Sequence, residues 1–174
     1  MSIAKLYRKI VENNLDDFKI EVYSKKYQNQ VMTLGFRTLT EEVDERNREN
    51  ELLHLAKVFT PSIYDKHINN NNNLWVLTND DKVYAYISVR IDNYNYKATL
   101  TGFYIIPVLR GLKFAEKLLS TVIDFITNRG CKKLTADSAS YSLRAIGFYT
   151  KYFKIDKEFC MDGVKCVLFY KDIN

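Results

Sequence analysis

The clearest periodic signal in the chain is an apolar stripe at Ala115, Leu118, Leu119, Val122, Ile123 and Ile126. The spacing of three and four residues is that of one face of an α-helix. Glu116, Lys117, Thr121, Asp124 and Asn128 take the other side, and Gly130, next to Arg129, supplies a helix stop. Residues 97–106, Lys-Ala-Thr-Leu-Thr-Gly-Phe-Tyr-Ile-Ile, read as a strand closed by Pro107, and Lys132 to Ala136 as a short strand after the helix. Strand, helix and strand from 97 to 137 make a βαβ unit, which requires a parallel pair with a right-handed crossover. Residues 74–78 and 82–91 flank Asn79-Asp80-Asp81 as a hairpin. A helix near 141–151 precedes strands at 153–160 and 164–170, joined at Asp162-Gly163. The N-terminal part is weaker. Ile3, Leu6, Ile10 and Val11 predict a short amphipathic helix over 3–12, and residues 18–23 and 31–39 read as strands around a turn-like Gln28-Asn29-Gln30. Thr40 is placed to cap a helix running to about Phe59, before Pro61, with Glu41, Glu42 and Asp44 in its first turn. The pattern specifies an α/β fold around a mixed central sheet.

Composition narrows the class. A chain of 174 residues is one domain by size. Its 13 Tyr and 10 Phe against 6 Gly and 2 Pro exclude a disordered chain. No apolar run reaches the ~20 residues of a membrane span. Met1 to Val11 carries Lys5, Arg8 and Lys9 without a continuous apolar stretch, so no secretory signal is expected and a soluble protein is. Cys131, Cys160 and Cys166 are odd in number and lack C-x-x-C spacing, and His54 and His67 are the only histidines. No metal site is expected from such a set. Each cysteine reads as a small buried hydrophobe in a reducing, cytoplasmic setting. Asn69 to Asn73, five consecutive Asn, read as a loop.

Charge is uneven. Residues 1–40 hold 7 Lys/Arg against 4 Asp/Glu, residues 41–81 hold 4 against 9, and residues 82–174 hold 15 against 8. The basic C-terminal half suits a polyanion, either nucleic acid or a phosphorylated cofactor, or is simply a Lys-rich surface. The basic residues are scattered, with no arginine-rich helix and no paired RNP aromatics, so nucleic acid is the weaker partner. The junction Pro-Val-Leu-Arg-Gly-Leu-Lys-Phe-Ala at 107–115 is more specific, because it joins a strand to the N-terminus of the best helix. Unsatisfied N–H groups and the positive dipole end there attract an anion. Arg110, Gly111 and Lys113 add charge or remove bulk, which makes this a phosphate-binding strand–loop–helix or an ordinary βα turn. It is neither a P-loop nor a dinucleotide fingerprint.

Residues 98–153 resemble the central part of the GNAT superfamily of acyl-CoA-dependent N-acyltransferases. The family's R/Q-x-x-G-x-G/A at a helix start, after a strand ending in Pro, corresponds to Pro107 and Arg110-Gly111-Leu112-Lys113-Phe114-Ala115. Its later N-x-x-A-x-x-F-Y corresponds to Ser142-Leu143-Arg144-Ala145-Ile146-Gly147-Phe148-Tyr149. The resemblance implies a mostly antiparallel mixed sheet with one parallel βαβ unit and helices on both faces. It implies that an acetyl-CoA pyrophosphate lies on the backbone amides of Arg110, Gly111, Leu112, Lys113, Phe114 and Ala115. Pantetheine would add strand-like hydrogen bonds at Phe103, Tyr104 and Ile105, with the thioester carbonyl aimed at one of those amides. Tyr149 would protonate the departing thiolate. Lys113 stands where the family usually has Gly, Ser142 where it has Asn, and the usual Gly after Phe-Tyr is missing around Tyr152-Phe153.

Leu100 occupies the place of a Glu that many members carry, so the general base stays open among Asp92, Asp137 and water. His54 and His67 read as surface or packing residues. Glu41, Glu42, Asp44, Glu45, Glu49 and Glu51 form either an acceptor wall for a cationic amine or a solvated face with pairs such as Glu42–Arg46 and Asp44–Arg48. The expectation is a single N-acetyltransferase domain over 1–174, with residues 1–17 as a helical extension. It transfers acetyl from acetyl-CoA by direct attack of a primary amine: a small amine, a polyamine, an amino sugar, or a protein lysine or N-terminus. No metal and no membrane take part, and a homodimer is compatible. The competing readings are a catalytically inactive acyl-CoA-binding or interaction module on the same fold, and a basic nucleic-acid-binding domain.

Overall fold

A computed structural model describes residues 15–40, 48, 49, 52, 59–69 and 73–174, the side chains of 66–69 aside. Seven strands, β1 (Lys19–Val22), β2 (Leu74–Asn79), β3 (Lys82–Asp92), β4 (Lys97–Ile105), β5 (Lys133–Ala139), β6 (Lys154–Met161) and β7 (Val164–Asp172), form one sheet. Their order is β1-β2-β3-β4-β5-β7-β6. β4 and β5 are parallel; β1–β2, β2–β3, β5–β7 and β6–β7 are antiparallel. Around them lie α1 (Gln28–Thr40), α2 (Pro61–Asn69), α3 (Phe114–Asn128) and α4 (Leu143–Tyr152). This is the mixed α/β sheet that the pattern specified, with the parallel pair where the βαβ unit required it. Two hairpins close as expected. Asp80 and Asp81 take φ of 48° and 59°, and Asp162 and Gly163 take 49° and 80°. Two successive left-handed residues are what a tight two-residue hairpin turn needs.

The chain divides into two compact units, Met1–Ser88 with Gly102–Ser120, and Val89–Thr101 with Thr121–Asn174. In the first, Val31 and Leu34 of α1 bury against Tyr23, Tyr27, Tyr64, Leu74, Val76 and Tyr86. Trp75, opposite Val22 of β1 and Ile87 of β3, is buried in β2. β3 carries one extra residue, Tyr84, between Val83 and Ala85, which pair with Thr78 and Leu77. The Tyr84 ring meets Phe18 at 5.1 Å. Gly35 lies one helical turn beyond Val31, where a Cβ would overlap the Phe59 ring and the Tyr86 hydroxyl. Overpacking a filled core typically costs 1–3 kcal/mol. Gly35→Ala is therefore expected to destabilise the protein by about 2 kcal/mol in urea denaturation. An unchanged midpoint would show that Phe59 yields without cost.

The second unit packs α4 on β7. The Tyr149 ring lies 5.3 Å from Phe169 and 5.5 Å from Phe153. Leu134 and Ala136 of β5, and Val122 and Ile126 of α3, are buried in the same unit.

Several local expectations are corrected. Residues 31–39 are helical, and Gln28-Asn29-Gln30 is the first turn of that helix, not a turn between strands. Thr, Val and Phe give this stretch strand propensity, but burial follows Val31, Leu34 and Gly35, a period of three to four, and packing overrides propensity. Thr40 is the last residue of this helix, and its hydroxyl donates to Arg37 O at 3.0 Å; the first turn it was expected to cap, at Glu41, Glu42 and Asp44, lies outside the described residues. Pro61, read as a stop, opens α2, where its missing N–H costs nothing. The β5 strand runs to Ala139. Cys131 and Cys166 are buried as expected, but Cys160 is exposed, because β6 forms the sheet edge and is exposed along nearly its whole length. Arg48, Glu49 and Leu52 are helical and Phe59 is not, in line with the predicted helix end. The helix over 3–12, the acids Glu41, Glu42, Asp44, Glu45 and Glu51, His54 and Asn70 to Asn72 lie outside the described residues. Among the described residues no helix is long and apolar enough to cross a membrane, and no three His, Cys, Asp or Glu gather as a metal site.

Candidate active site

In the first unit, the end of β4 leads into a tight turn at the start of α3. Pro107–Leu109 form one 3-10 turn whose Leu109 side chain is buried. Arg110 N donates to Pro107 O at 3.2 Å and Leu112 N to Leu109 O at 3.3 Å, so these two amides close the turn. Among the described residues, the amides of Gly111, Lys113, Phe114 and Ala115 donate to no backbone carbonyl. They stand at the N-terminus of a 15-residue helix, where the dipole favours an anion. The turn is held from both sides. The Arg110 Nε donates to Ile105 O at 3.3 Å, and the Phe114 ring packs on Phe18 at 5.1 Å.

Two left-handed residues shape this turn, Gly111 at φ 80° and Lys113 at φ 62°. Glycine takes that conformation freely, whereas a Cβ costs roughly 1–2 kcal/mol. Lys113 thus holds a glycine conformation at the family's Gly position and adds an exposed charge. Lys113→Gly relieves this strain, partly offset by the freer unfolded chain. It is expected to raise stability by about 0.5–1 kcal/mol in urea denaturation. A less stable variant would contradict this account.

Phe103, Tyr104 and Ile105 lie half-buried at the end of β4. The register with β5 covers only Lys97↔Lys133, Ala98↔Leu134 and Thr99↔Thr135, closed by the two threonine hydroxyls at 2.9 Å, while β4 runs on to Ile105. The nine residues from Phe103 to Ala115 that were singled out therefore form one continuous segment in one unit.

Ser142 and Tyr149 belong to the other unit. Ser142 N donates to Ala139 O, and its carbonyl accepts from Ile146 N, both at 3.0 Å, which starts α4 directly after β5. Its hydroxyl makes no cap hydrogen bond to the helix. Tyr149 is buried on the core side of α4. Burial, and secondarily the Asp137 carboxylate, push its phenol far above the ordinary value. Tyr149 is therefore a neutral phenol at any physiological pH. Partial desolvation raises Asp137 as well, although the residue keeps contact with solvent at the end of β5.

Asp92 has a different job. Its carboxylate accepts from Asn95 Nδ2 at 2.6 Å and from the amides of Tyr94 and Asn95 at 3.1 and 3.3 Å. The Asn95 side-chain bond first, then these backbone bonds, hold its pKa down, so it builds the β3–β4 turn and makes a poor proton acceptor. Leu100 is buried in β4 and Glu49 is exposed.

Sequence reading gave no weight to a set of aromatic rings beside β4. Phe36 meets Phe59 at 6.3 Å, Phe59 meets Tyr104 at 6.1 Å, and Tyr104 meets Tyr86 at 5.0 Å. These residues come from α1, a connecting segment, β4 and β3, so no local period marks them. The pairing of neighbouring strands was the one available signal.

The model of the Acetyltransferase (GNAT) family matches residues 36–154 of this chain. No curated protein sequence matches it. Among solved structures, a GNAT-family acetyltransferase from Staphylococcus aureus Mu50 superposes with a TM-score of 0.70 at 18% identity, over 90% of this chain and 99% of that one. PaiA N-acetyltransferase from Thermoplasma acidophilum, in complex with coenzyme A, gives 0.71 at 15% identity over 89% and 98%. YncA from Salmonella typhimurium, with its cofactor acetyl-CoA, gives 0.67 at 16% over 90% and 94%. At these identities the likeness speaks for the fold, and the family match over most of the chain speaks for the class.

Proposed function

The chain belongs to the GNAT acetyltransferase family and is an acetyl-CoA-dependent N-acetyltransferase, and from that premise we propose how its own residues divide the work. The observation that carries the reading is the turn into α3, with four amides that meet no backbone carbonyl among the described residues and two left-handed residues. The free amides of Gly111, Lys113, Phe114 and Ala115 receive the pyrophosphate. Lys113 adds positive charge, and Arg110 and Leu112 keep the turn in shape. The pantetheine arm runs along Phe103, Tyr104 and Ile105, where one backbone N–H faces the thioester oxygen as negative charge develops there. Ser142 supplies a polar contact to the same donor.

The acceptor is a primary amine. Its lone pair forms a C–N bond at the thioester carbonyl, the C–S bond then breaks, and Tyr149 gives the thiolate its proton. The amine nitrogen loses its proton to water or to Asp137. Desolvation keeps Tyr149 neutral, the form in which it can donate a proton. We read residues 1–174 as one catalytic domain working in a reducing cytoplasm. The acids of residues 41–51 favour a cationic acceptor.

Two measurements test this reading. Acetyl-CoA at 100 times its dissociation constant should stabilise the folded chain by about 2.7 kcal/mol in a thermal shift. Free thiol should then appear from acetyl-CoA only when an amine is added. Stabilisation without amine-dependent thiol would make the chain a binding module, and no stabilisation would remove the donor assignment.

A further inference from the structure

We infer that the acceptor amine is carried on an apolar, aromatic or branched body, which is recognised by the ring wall of Phe36, Phe59 and Tyr104. The inference rests on the proposed path of the donor along Phe103 to Ile105. If the acyl end lies there, an amine reaching it passes the side chain of Tyr104. Three further rings continue from Tyr104 within the same unit: Tyr86 at 5.0 Å, Phe59 at 6.1 Å, and Phe36 a further 6.3 Å from Phe59.

The series is graded. Tyr86 is fully buried, Phe59 and Tyr104 are half-buried, and Phe36 is 38% exposed on α1. Phe59 and Tyr104 pack on the hydrophobic core around Tyr86, and Phe36 brings the series to solvent.

Two glycines make room for it. A Cβ at Gly35 would overlap Phe59 and the Tyr86 hydroxyl. A Cβ at Gly102 would come within 3.0 Å of Ser88 Oγ, 3.1 Å of the Tyr86 ring and 3.2 Å of the Tyr104 ring. Side chains at 35 and 102 would push the rings apart. The hydroxyl of Tyr86 lies 3.2 Å from that of Tyr64, and its ring lies 5.0 Å from that of Tyr104. Phe36, Phe59 and Tyr104 meet edge to face, at 88° and 70°, and a surface of such rings attracts apolar groups by burial. It offers little to the hydroxyls of a sugar or to the repeated charges of a polyamine.

A panel of acceptors tests this: 2-phenylethylamine, 3-methylbutylamine, ethanolamine, glucosamine and spermidine, each assayed at fixed saturating acetyl-CoA. The two apolar amines are expected to exceed glucosamine and spermidine at least tenfold in kcat/KM. Phe36→Ala should raise KM for 2-phenylethylamine about tenfold, with KM for acetyl-CoA and the kinetics with ethanolamine unchanged. Phe36→Leu should recover part of the loss. Phe36 is partly exposed and outside the donor site, so its variants are expected to fold, and acetyl-CoA stabilisation in the same samples checks this. Retained stabilisation with spermidine or glucosamine preferred would overturn the acceptor inference alone. So would a Phe36→Ala effect that is equal for ethanolamine and 2-phenylethylamine. Loss of acetyl-CoA stabilisation in the unmodified chain would overturn the donor reading, and this inference with it.

Discussion

Tyr149→Phe is expected to reduce turnover by 10²- to 10⁴-fold while leaving the Kd for acetyl-CoA within a factor of two, the range a single positioned general acid contributes. The substitution removes one oxygen and keeps the ring that packs at 5.3 Å on Phe169 and 5.5 Å on Phe153, so the core of its unit is preserved. Its pH profile is equally specific. Burial and the nearby Asp137 carboxylate hold the phenol in its neutral form, so activity should show no falling limb from tyrosine ionisation up to about pH 10. Leu100 offers no carboxylate on β4, and Asp92 is locked in its turn. The acidic limb should therefore report the acceptor ammonium losing its proton, and it should move when an amine of different basicity is supplied. If Asp137 takes that proton instead, a limb that stays fixed across acceptors and disappears in Asp137→Asn would show it. Full turnover in Tyr149→Phe would remove the residue from the chemistry altogether.

Arg110→Glu should weaken CoA binding by about 10²-fold, measured by calorimetry at low salt. Two effects act together. The Nε bond to Ile105 O at 3.3 Å is lost, which frees the turn from the end of β4. A carboxylate then stands beside the amides that receive the pyrophosphate, and like charges so placed cost several kcal/mol at an interface. Arg110→Gln separates these effects, because it removes the charge without adding a repulsive one and should cost about tenfold. Raising the salt should shrink the deficit of the Glu variant more than that of the Gln variant. Equal affinities in all three proteins would show that the pyrophosphate binds elsewhere.

The legible parts of this molecule were those where one period dominated. The α3 stripe, the strand before it and the two tight hairpins announced themselves, because burial on one side leaves a regular trace in sequence. The segment from Phe103 to Ala115 was found by combining that trace with a resemblance, since a turn alone has no period. Helix α1 was misread because Val31, Thr33, Phe36 and Thr38 favour strands locally. Its helical burial is set by Tyr23, Tyr64 and Tyr86, which are distant in sequence. Lys113 was recognised as standing at a glycine position, but its left-handed backbone became visible only in three dimensions. Cys160 looked like its two buried counterparts because its neighbours Phe159 and Met161 are apolar. Its exposure follows from β6 being last in the sheet order, which no short window of sequence contains.

The chain's one tryptophan gives the two compact units separate optical signatures. Trp75 is buried in β2 of the first unit, so its emission shifts to the red when that unit loses its core. Ellipticity in the far ultraviolet, by contrast, sums over β5 to β7 and α4 as well. Recorded together along a urea gradient, the two signals coincide when the units melt as one cooperative body and separate when they do not. Acetyl-CoA can then be assigned to a unit by light alone. A ligand held by the turn at residues 110–115 moves the tryptophan transition first.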